Sequence, residues 1–173
     1  MVETFIEHWP EDIKIHLYCE NVSPNLYHPR VVEHNIFDVC PQIKSYLDKN
    51  NNDYNNGYRE SKRDFKYDAI KFCYKVFAQC HRIKFSTADT IMFIDADTLT
   101  FAKPPMDKLK KLMPDDHFTS YIGRPNNTKL PFAETGFIMY NLKHPSIKDF
   151  AEVFEDLYTS GKIFDLRYQV DCY

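Results

Sequence analysis

The chain has 173 residues, of which 43% are hydrophobic and 27% charged, so it can bury a core and is not disordered by composition. A formal net charge of −3 and a pI near 6.1 exclude nucleic acid as a main partner, because such binding needs a basic surface. No apolar run is long enough to span a membrane and Met1-Val2-Glu3 opens no signal peptide, so we predict one cytoplasmic domain over residues 1–173 without a transmembrane segment.

The first part of the chain shows short helix and strand patterns. We predict a helix at residues 4–9 and strands at residues 13–18 and 31–36. A further helix is expected to begin at Asp38, with Pro41 in its first turn.

The next part contains a polar segment followed by the strongest helix pattern. Residues 48–66 are rich in Asn and charged residues, and we predict a long surface loop there, either a lid or a solvated connector. Residues 67–83 are predicted to be a helix capped by Asp64. Its apolar positions recur three and four residues apart, at Ile70, Cys73, Phe77 and Cys80. Three lysines lie off that stripe, at Lys66, Lys71 and Lys75.

A short apolar run at residues 90–94 ends directly at two carboxylates, Asp95 and Asp97. Such a run predicts a strand buried on both faces, and ligands bind at the ends of central strands in α/β sheets. Two acids there need a positive partner, which is either a divalent cation or a basic side chain. The alternative is that the acids only cap the following turn.

The last part of the chain completes the α/β pattern. We predict a helix at residues 106–113, strands at residues 117–122 and 132–141, and a polar loop at residues 124–131 between the two strands. A final helix is predicted from the Ser146 cap to about residue 158. A helix that leads into a buried strand, as at residues 67–94, is half of a βαβ unit and favours an α/β fold.

Glycine and cysteine usage narrows the chemistry. The chain has only four glycines, and neither the dinucleotide-binding nor the P-loop glycine pattern occurs. The five cysteines include no Cys-x-x-Cys pair, so neither a disulfide framework nor a zinc site is indicated. Carboxylate oxygens are preferred by Mg²⁺ and Mn²⁺, and an ion held by Asp95 and Asp97 could neutralise charge on a departing phosphate group. This chemistry suits group transfer from a nucleotide-activated donor.

Residues 93–99 (FIDADTL) resemble the DxD segment of metal-dependent GT-A glycosyltransferases, and especially that of their glycogenin-like members. Residues 66–72 (KYDAIKF) resemble the basic helix before that motif, and residues 133–141 (AETGFIMYN) resemble the later strand near the donor sugar. Residues 165–171 resemble the Asp-Gln segment of the family more faintly. The resemblance covers roughly residues 66–173.

The resemblance implies a fold, a reaction and a cofactor. The fold would be a GT-A-like, Rossmann-like α/β domain with a mixed, mostly parallel sheet flanked by helices. The reaction would move a sugar from a nucleotide-sugar donor, UDP-linked in the first instance, to a saccharide, lipid or protein acceptor that the sequence does not identify. The cofactor would be Mn²⁺ or Mg²⁺. Family members also carry a strand ahead of the position of Thr4 and a histidine ligand beyond that of Tyr173, so we expect a short or incomplete version.

The resemblance also implies residue roles. Asp95 and Asp97 would ligate the metal, and Asp97 and Glu134 would be the catalytic residues. Glu134 would act as a base in an inverting enzyme or stabilise the sugar cation in a retaining one. The donor would be bound by Lys66, Lys71, Asp95, Ala96, Thr135, Gly136 and Gln169. The plain alternatives are solvated lysines and an edge-strand acid at Glu134.

Two other functions compete with the transferase. A degenerate, non-catalytic transferase domain would bind a nucleotide sugar or a partner without turnover. A phosphatase of the haloacid dehalogenase type also places Asp-x-Asp after an apolar strand. That class expects Thr or Val two places after the second acid, where this chain has Leu99, and a later Gly-Asp motif that is missing here.

Overall fold

A computed structural model describes residues 1–123 and 133–169 and shows a mixed α/β molecule. Its helices are α1 Val2–His8, α2 Ile36–Val39, α3 Gln42–Asn50, α4 Ala69–Phe85, α5 Met106–Lys111 and α6 Ile147–Thr159. Its strands are β1 Ile15–Cys19, β2 Val31–Asn35, β3 Asn56–Arg59, β4 Lys62–Asp68, β5 Thr90–Ile94, β6 Thr119–Ile122 and β7 Glu134–Asn141. A short 3₁₀ turn, Lys162–Asp165, follows α6. The predicted loop at residues 124–131, the start of the predicted strand at Phe132 and the implied segment beyond Gln169 lie outside the described residues.

The described strands form three small sheets. β1 and β2 pair in parallel, β3 and β4 form an antiparallel hairpin, and the third sheet is antiparallel in the order β5-β7-β6. The α/β class is confirmed, but the expectation of a mostly parallel sheet is wrong for the described residues, where only β1–β2 is parallel. Side-chain patterning reports which residues are buried and carries no information on the direction of the neighbouring strand.

Strand β5 lies where the sequence predicts it, but at an edge of its sheet. It pairs with β7 over the whole strand, from Thr90 opposite Asn141 to Ile94 opposite Phe137. Thr90 is exposed and the other four residues are half-buried. The expectation of a strand buried on both faces is therefore wrong, because none of the five residues of β5 is fully buried.

Helix α4 is the centre of the core. It buries nine side chains, among them Val76 and Phe77, and packs against α6 through residues such as Ala151 and Tyr158. The helix pattern predicted at residues 67–83 is confirmed, but its cap is not Asp64. Asp68 caps the helix, since its Oδ1 accepts a hydrogen bond of 3.0 Å from the backbone N–H of Lys71.

The polar segment at residues 48–66 is not a loop, which corrects the sequence prediction. It contains the end of α3, all of β3 and most of β4. Gly57 permits the bulge in β3, between Asn56 and Tyr58, because its φ is +83° and a Cβ there would lie only 2.7 Å from the carbonyl oxygen of Asp64. The turn itself lies at Glu60 and Ser61, whose φ values are +49° and +67°, so it contains neither Gly nor Asn.

The remaining elements agree with the prediction in kind. A second correction concerns the helix predicted from Asp38, because two helices occur there: Asp38 lies inside α2, and α3 begins directly after Pro41. Asn35 caps α2 by accepting a 3.0 Å hydrogen bond from the N–H of Phe37. Within residues 1–123 and 133–169, none of the helices is both long and apolar enough to cross a membrane.

Candidate functional site

The acid pair follows β5 on a turn that continues the sheet. The backbone N–H of Asp95 donates to the carbonyl of Gly136 at 3.0 Å, which extends the β5–β7 pairing by one residue. The N–H of Thr98 then donates to the carbonyl of Asp95 at 3.0 Å. This closed turn exposes Ala96 and Asp97, while Asp95 stays half-buried against the sheet. Main-chain hydrogen bonds therefore hold the two carboxylates at the end of the strand.

A lysine from α4 supplies the positive charge beside Asp95. The ammonium of Lys75 lies 2.9 Å from Asp95 Oδ1 and donates to Thr135 Oγ1 at 3.2 Å. It also lies 4.8 Å from the centre of the Phe93 ring. The Lys75 side chain is only 12% exposed, so this ion pair is partly shielded from water. Of the two positive partners predicted for the acid pair, a divalent cation or a basic side chain, the basic side chain is thus present.

Glu134 and Asp95 face each other across Gly136. A Cβ at position 136 would lie 3.0 Å from Asp95 Oδ2 and 3.3 Å from Glu134 Oε1. The Gly136 N–H donates to Glu134 Oε1 at 3.2 Å, which fixes that carboxylate over the strand. A side chain at position 136 would therefore push the two carboxylates away from each other.

One cavity of about 730 Å³ joins these groups. Asp95, Asp97, Glu134 and Gly136 line it, together with Trp9 from the segment after α1. The Trp9 indole donates to Thr100 Oγ1 at 3.0 Å, and the Thr100 N–H donates to Thr4 Oγ1 at 3.2 Å. The N-terminal helix is therefore attached to the segment that follows the acid pair.

The other sequence-predicted residues contact different parts of the molecule. The N–H of Gln169 donates to the carbonyl of Lys66 at 2.6 Å, and the Lys66 ammonium lies 5.9 Å from the Tyr168 ring. Lys71 is exposed in the first turn of α4. None of these three residues lines the cavity at the acid pair, and neither do Ala96 and Thr135. Thr135 is linked to Asp95 through Lys75, which contacts both side chains.

The donor set suits a hard cation, though it is incomplete within the described residues. Asp95 and Asp97 offer carboxylate oxygens, and Mg²⁺ is commonly held by one or two carboxylates plus waters and substrate phosphates. In residues 1–123 and 133–169, no group of three or more His, Cys, Asp or Glu side chains is placed to hold a metal ion. Lys75 also occupies Asp95 Oδ1. Two carboxylates are therefore the donors that this cavity offers to a hard cation.

Sequence reasoning missed two contributors to this site. Lys75 was grouped with the other lysines of its helix, and the signal that could have singled it out is its position one helical turn after Lys71, facing the strand that follows. Trp9 gave no usable signal, because its contact with Thr100 spans 91 residues.

A second polar cluster connects the β1–β2 sheet to α4. His16 and His34 share a 2.9 Å hydrogen bond between ring nitrogens, and Tyr18 shares one of 2.7 Å with His81. Burial, with help from the positive charge of Arg82, lowers the pKa of His16 to about 4. Burial also lowers the pKa values of His34 and His81. The cluster is therefore neutral at pH 7.

Comparison with known proteins finds no match for the chain among protein-family models, curated proteins or solved structures.

Proposed function

We propose that this chain is a GT-A-like domain that transfers a sugar from a nucleotide-sugar donor, UDP-linked, to an acceptor hydroxyl. The observation that carries the proposal is the convergence of Asp95, Asp97, Glu134 and Gly136 on one cavity. These residues stand up to 41 positions apart in the sequence, and they are the ones to which the family resemblance gives metal and sugar roles. Reduced thiols at the buried Cys40, Cys73 and Cys80 support a cytoplasmic location.

Each residue has a chemical task in this proposal. Asp95 and Asp97 would hold Mn²⁺ or Mg²⁺, which when bound supplies positive charge to offset that of a leaving diphosphate. Lys75 holds Asp95 in place through its ion pair and adds positive charge beside the same site. Glu134 faces the cavity from the opposite side of Gly136, where it would accept the acceptor proton or stabilise a sugar cation.

Nucleotide binding in the presence and absence of metal tests this proposal. Calorimetry with UDP, GDP and CMP, each with and without Mn²⁺, should give metal-dependent binding of UDP. Asp97→Asn should weaken that binding by about tenfold or more, because one carboxylate ligand is lost. Asp107→Asn is the matched control, since Asp107 is an acid on α5 that does not line the cavity. Absence of metal-dependent nucleotide binding by the intact chain would reject the transferase.

The second candidate is a non-catalytic nucleotide-sugar-binding domain. The Lys75–Asp95 ion pair favours it, because a lysine can neutralise part of the charge that a metal would otherwise offset. Under this alternative UDP binds equally well with and without Mn²⁺, and Lys75→Met abolishes binding. Hydrolysis of the donor separates the two candidates: the transferase hydrolyses UDP-sugar slowly, and Glu134→Gln removes that activity while it leaves UDP binding unchanged.

A further inference from the structure

The segment that follows the acid pair, residues 99–111, concentrates positive charge, and we call it the lysine-rich segment. Its charged residues are Lys103, Asp107, Lys108, Lys110 and Lys111. The segment therefore has a net charge of +3, in a chain whose net charge is −3. All four lysines are exposed. Within residues 1–123 and 133–169, the ion pairs involve other lysines and none of these four.

The same segment exposes large apolar side chains at the opening of the cavity at the acid pair. Phe101 is 92% exposed and Leu99 is 64% exposed. Ile122 of β6 is 52% exposed and lines that cavity together with them. We call these three side chains the apolar rim. Apolar surface that is exposed as one patch marks a place where another molecule binds, because its removal from water is favourable.

Two hydrogen bonds attach the start of the lysine-rich segment to the N-terminal helix. Thr100 accepts from the Trp9 indole at 3.0 Å through its hydroxyl, and its N–H donates to Thr4 Oγ1 at 3.2 Å. Thr100 therefore faces the rest of the molecule, while its neighbours Leu99 and Phe101 remain exposed. The rim residues thus belong to an attached part of the chain.

Helix α5 presents lysines on its outward face. Met106 and Leu109 are half-buried, whereas Lys108 and Lys111 are exposed. Residues three apart share a helix face, so the two lysines lie together, opposite the two apolar residues. The helix begins at Pro105, which lines the cavity at the acid pair, and six residues span only about 9 Å. The lysines of α5 therefore lie near the apolar rim.

We propose that the lysine-rich segment and the apolar rim dock the protein on the surface of a bilayer that contains anionic phospholipids. Leu99 and Phe101 would enter the boundary between headgroups and acyl chains, and the lysines would lie among the anionic headgroups. The cavity at the acid pair would then open toward the bilayer. This interaction does not depend on the proposed transferase activity.

A bilayer fits this surface better than other anionic partners do. Nucleic acid would neutralise the lysines with its phosphates, but it offers no apolar interior to aliphatic side chains such as Leu99 and Ile122. A second copy of the chain, docked through the same face, would place lysines opposite lysines. The residues of this chain outside the described part, 124–132 and 170–173, contain two basic residues and one acid, so they do not supply the matching negative charge.

Co-sedimentation with lipid vesicles tests the proposal. Vesicles of phosphatidylcholine with about 30% phosphatidylserine should bind the protein, because each lysine near an anionic surface strengthens binding about fivefold. Vesicles of phosphatidylcholine alone should bind at least about tenfold more weakly. Raising NaCl from about 0.1 M to about 0.5 M should weaken binding to the anionic vesicles. Equal binding to the two kinds of vesicle, or binding to neither, would overturn the proposal.

Phe101→Ser tests the apolar rim. Because the side chain is almost fully exposed, the variant should fold, which circular dichroism checks. Its binding to the anionic vesicles should weaken about fivefold or more. Tyr27→Ser is the matched control, since Tyr27 is 95% exposed and lies in the loop between β1 and β2. Unchanged binding of the Phe101 variant, or an equal loss in both variants, would contradict the proposal.

A double variant tests the lysines of α5. Lys108→Gln with Lys111→Gln should weaken binding to the anionic vesicles about tenfold or more. Lys49→Gln with Lys148→Gln is the control, because it makes the same change in net charge at exposed lysines of α3 and α6. An equal loss in the two double variants would show that overall charge, and not this face, attracts the protein to the vesicles.

Tryptophan fluorescence of the unmodified protein reports which face meets the bilayer. Trp9 is the only tryptophan of the chain and lines the same cavity as Leu99 and Phe101. Acrylamide should quench it less when the protein is bound to the anionic vesicles than when it is free. Unchanged quenching of vesicle-bound protein would mean that another face binds the lipid, and the proposal would be wrong.

Two further results would identify a different occupant of this surface. One is binding to a short single-stranded DNA that is tighter than binding to the anionic vesicles and is lost in the Lys108 and Lys111 double variant. The other is a dimer in analytical ultracentrifugation that Phe101→Ser dissociates, with no binding to vesicles. Either result would overturn the proposal.

Discussion

Gly136 decides how closely the two carboxylates of the candidate site approach each other. A Cβ atom added at this position would contact Asp95 on one side and Glu134 on the other. The ion pair with Lys75 restrains Asp95 from moving. The presence of a glycine within this strand was visible in the sequence. Its function as a spacer between two acids was not, because that depends on the register of β7 against β5.

We therefore expect Gly136→Ala to strain the site. The added methyl group would lie 3.0 Å from Asp95 Oδ2, which is tighter than most Cβ contacts, so the Asp95 carboxylate and its ion pair with Lys75 must move by a few tenths of an ångström. The free energy of unfolding should fall by about 1–3 kcal/mol, as for other overpacked positions, and UDP-Mn²⁺ affinity should fall with it. Urea denaturation and calorimetry measure the two effects.

Gly123→Ala is the matched control for that substitution. Gly123 is exposed, and a Cβ there would meet no atom within 4 Å. It should leave both the free energy of unfolding and nucleotide binding unchanged within about 0.5 kcal/mol. An equal effect of the two substitutions would mean that the change arises from the unfolded chain rather than from crowding at Asp95 and Glu134.

At the scale of elements, the β1–β2 sheet is attached to α4 partly through its histidine cluster. The ring of His34 stacks at 5.2 Å on that of His16 and at 4.8 Å on that of Tyr18, and His81 of α4 packs against the edge of this stack. The neutral rings share hydrogen bonds that a doubly protonated pair cannot make. The attachment is therefore sensitive to acid.

Stability should fall as the pH drops from about 6.5 to about 4. The pKa of His16 is about 4 in the folded protein against an ordinary 6.5, so in this range the unfolded chain binds more protons than the folded one. The stabilisation is complete above pH 6.5 and is lost as the pH falls through the folded pKa. Allowing for solvent screening of a half-buried group, the loss from His16 should be about 1–2 kcal/mol.

Urea denaturation at pH 7.5, 6.5, 5.5 and 4.5 checks this expectation. His16→Gln should reduce the loss of stability between pH 6.5 and 4.5, since one of the shifted groups is removed. His117→Gln is the control, because His117 is exposed and its nearest partner is the adjacent Asp116. A variant at His16 that retains the full pH dependence of the parent would show that other groups cause the acid sensitivity.

Elements with a periodic pattern of apolar residues could be predicted from the local sequence, whereas elements without such a pattern could not. β5 and α4 appear where apolar spacing places them, because burial of a strand or a helix face leaves a periodic trace in the sequence. The β3–β4 hairpin was missed, since its residues are almost all polar or exposed and its turn at Glu60 and Ser61 contains neither Gly nor Asn. The cap at Asp68 was assigned to Asp64 because both acids precede the same apolar stripe.

On the scale of the whole molecule, the β1–β2 and β5-β7-β6 sheets pack on one core built around α4, to which the β3–β4 hairpin contributes no residue. The buried residues of α2, α3, α4, β7 and α6 form a single cluster. The acid pair could be predicted because both residues lie within one local motif. The antiparallel pairing of β5 with β7 could not, because it depends on contacts between segments more than 40 residues apart.

Because the buried residues form one core, we expect its cysteines to become accessible to thiol reagents at the same urea concentration. Burial raises the pKa of the Cys40 thiol to about 11 and the pKa values of the Cys73 and Cys80 thiols to about 12, so all three should resist thiol reagents in the native state. Cys40 follows α2, whereas the other two lie on α4. Mass-spectrometric mapping of labelled peptides across a urea gradient should therefore show the three sites labelled with the same midpoint.

Cys19 in β1 is half-buried and should be labelled at lower urea concentrations. An earlier midpoint at Cys40 than at Cys73 would mean that the segment around α2 opens independently and that the molecule has more than one cooperative unit.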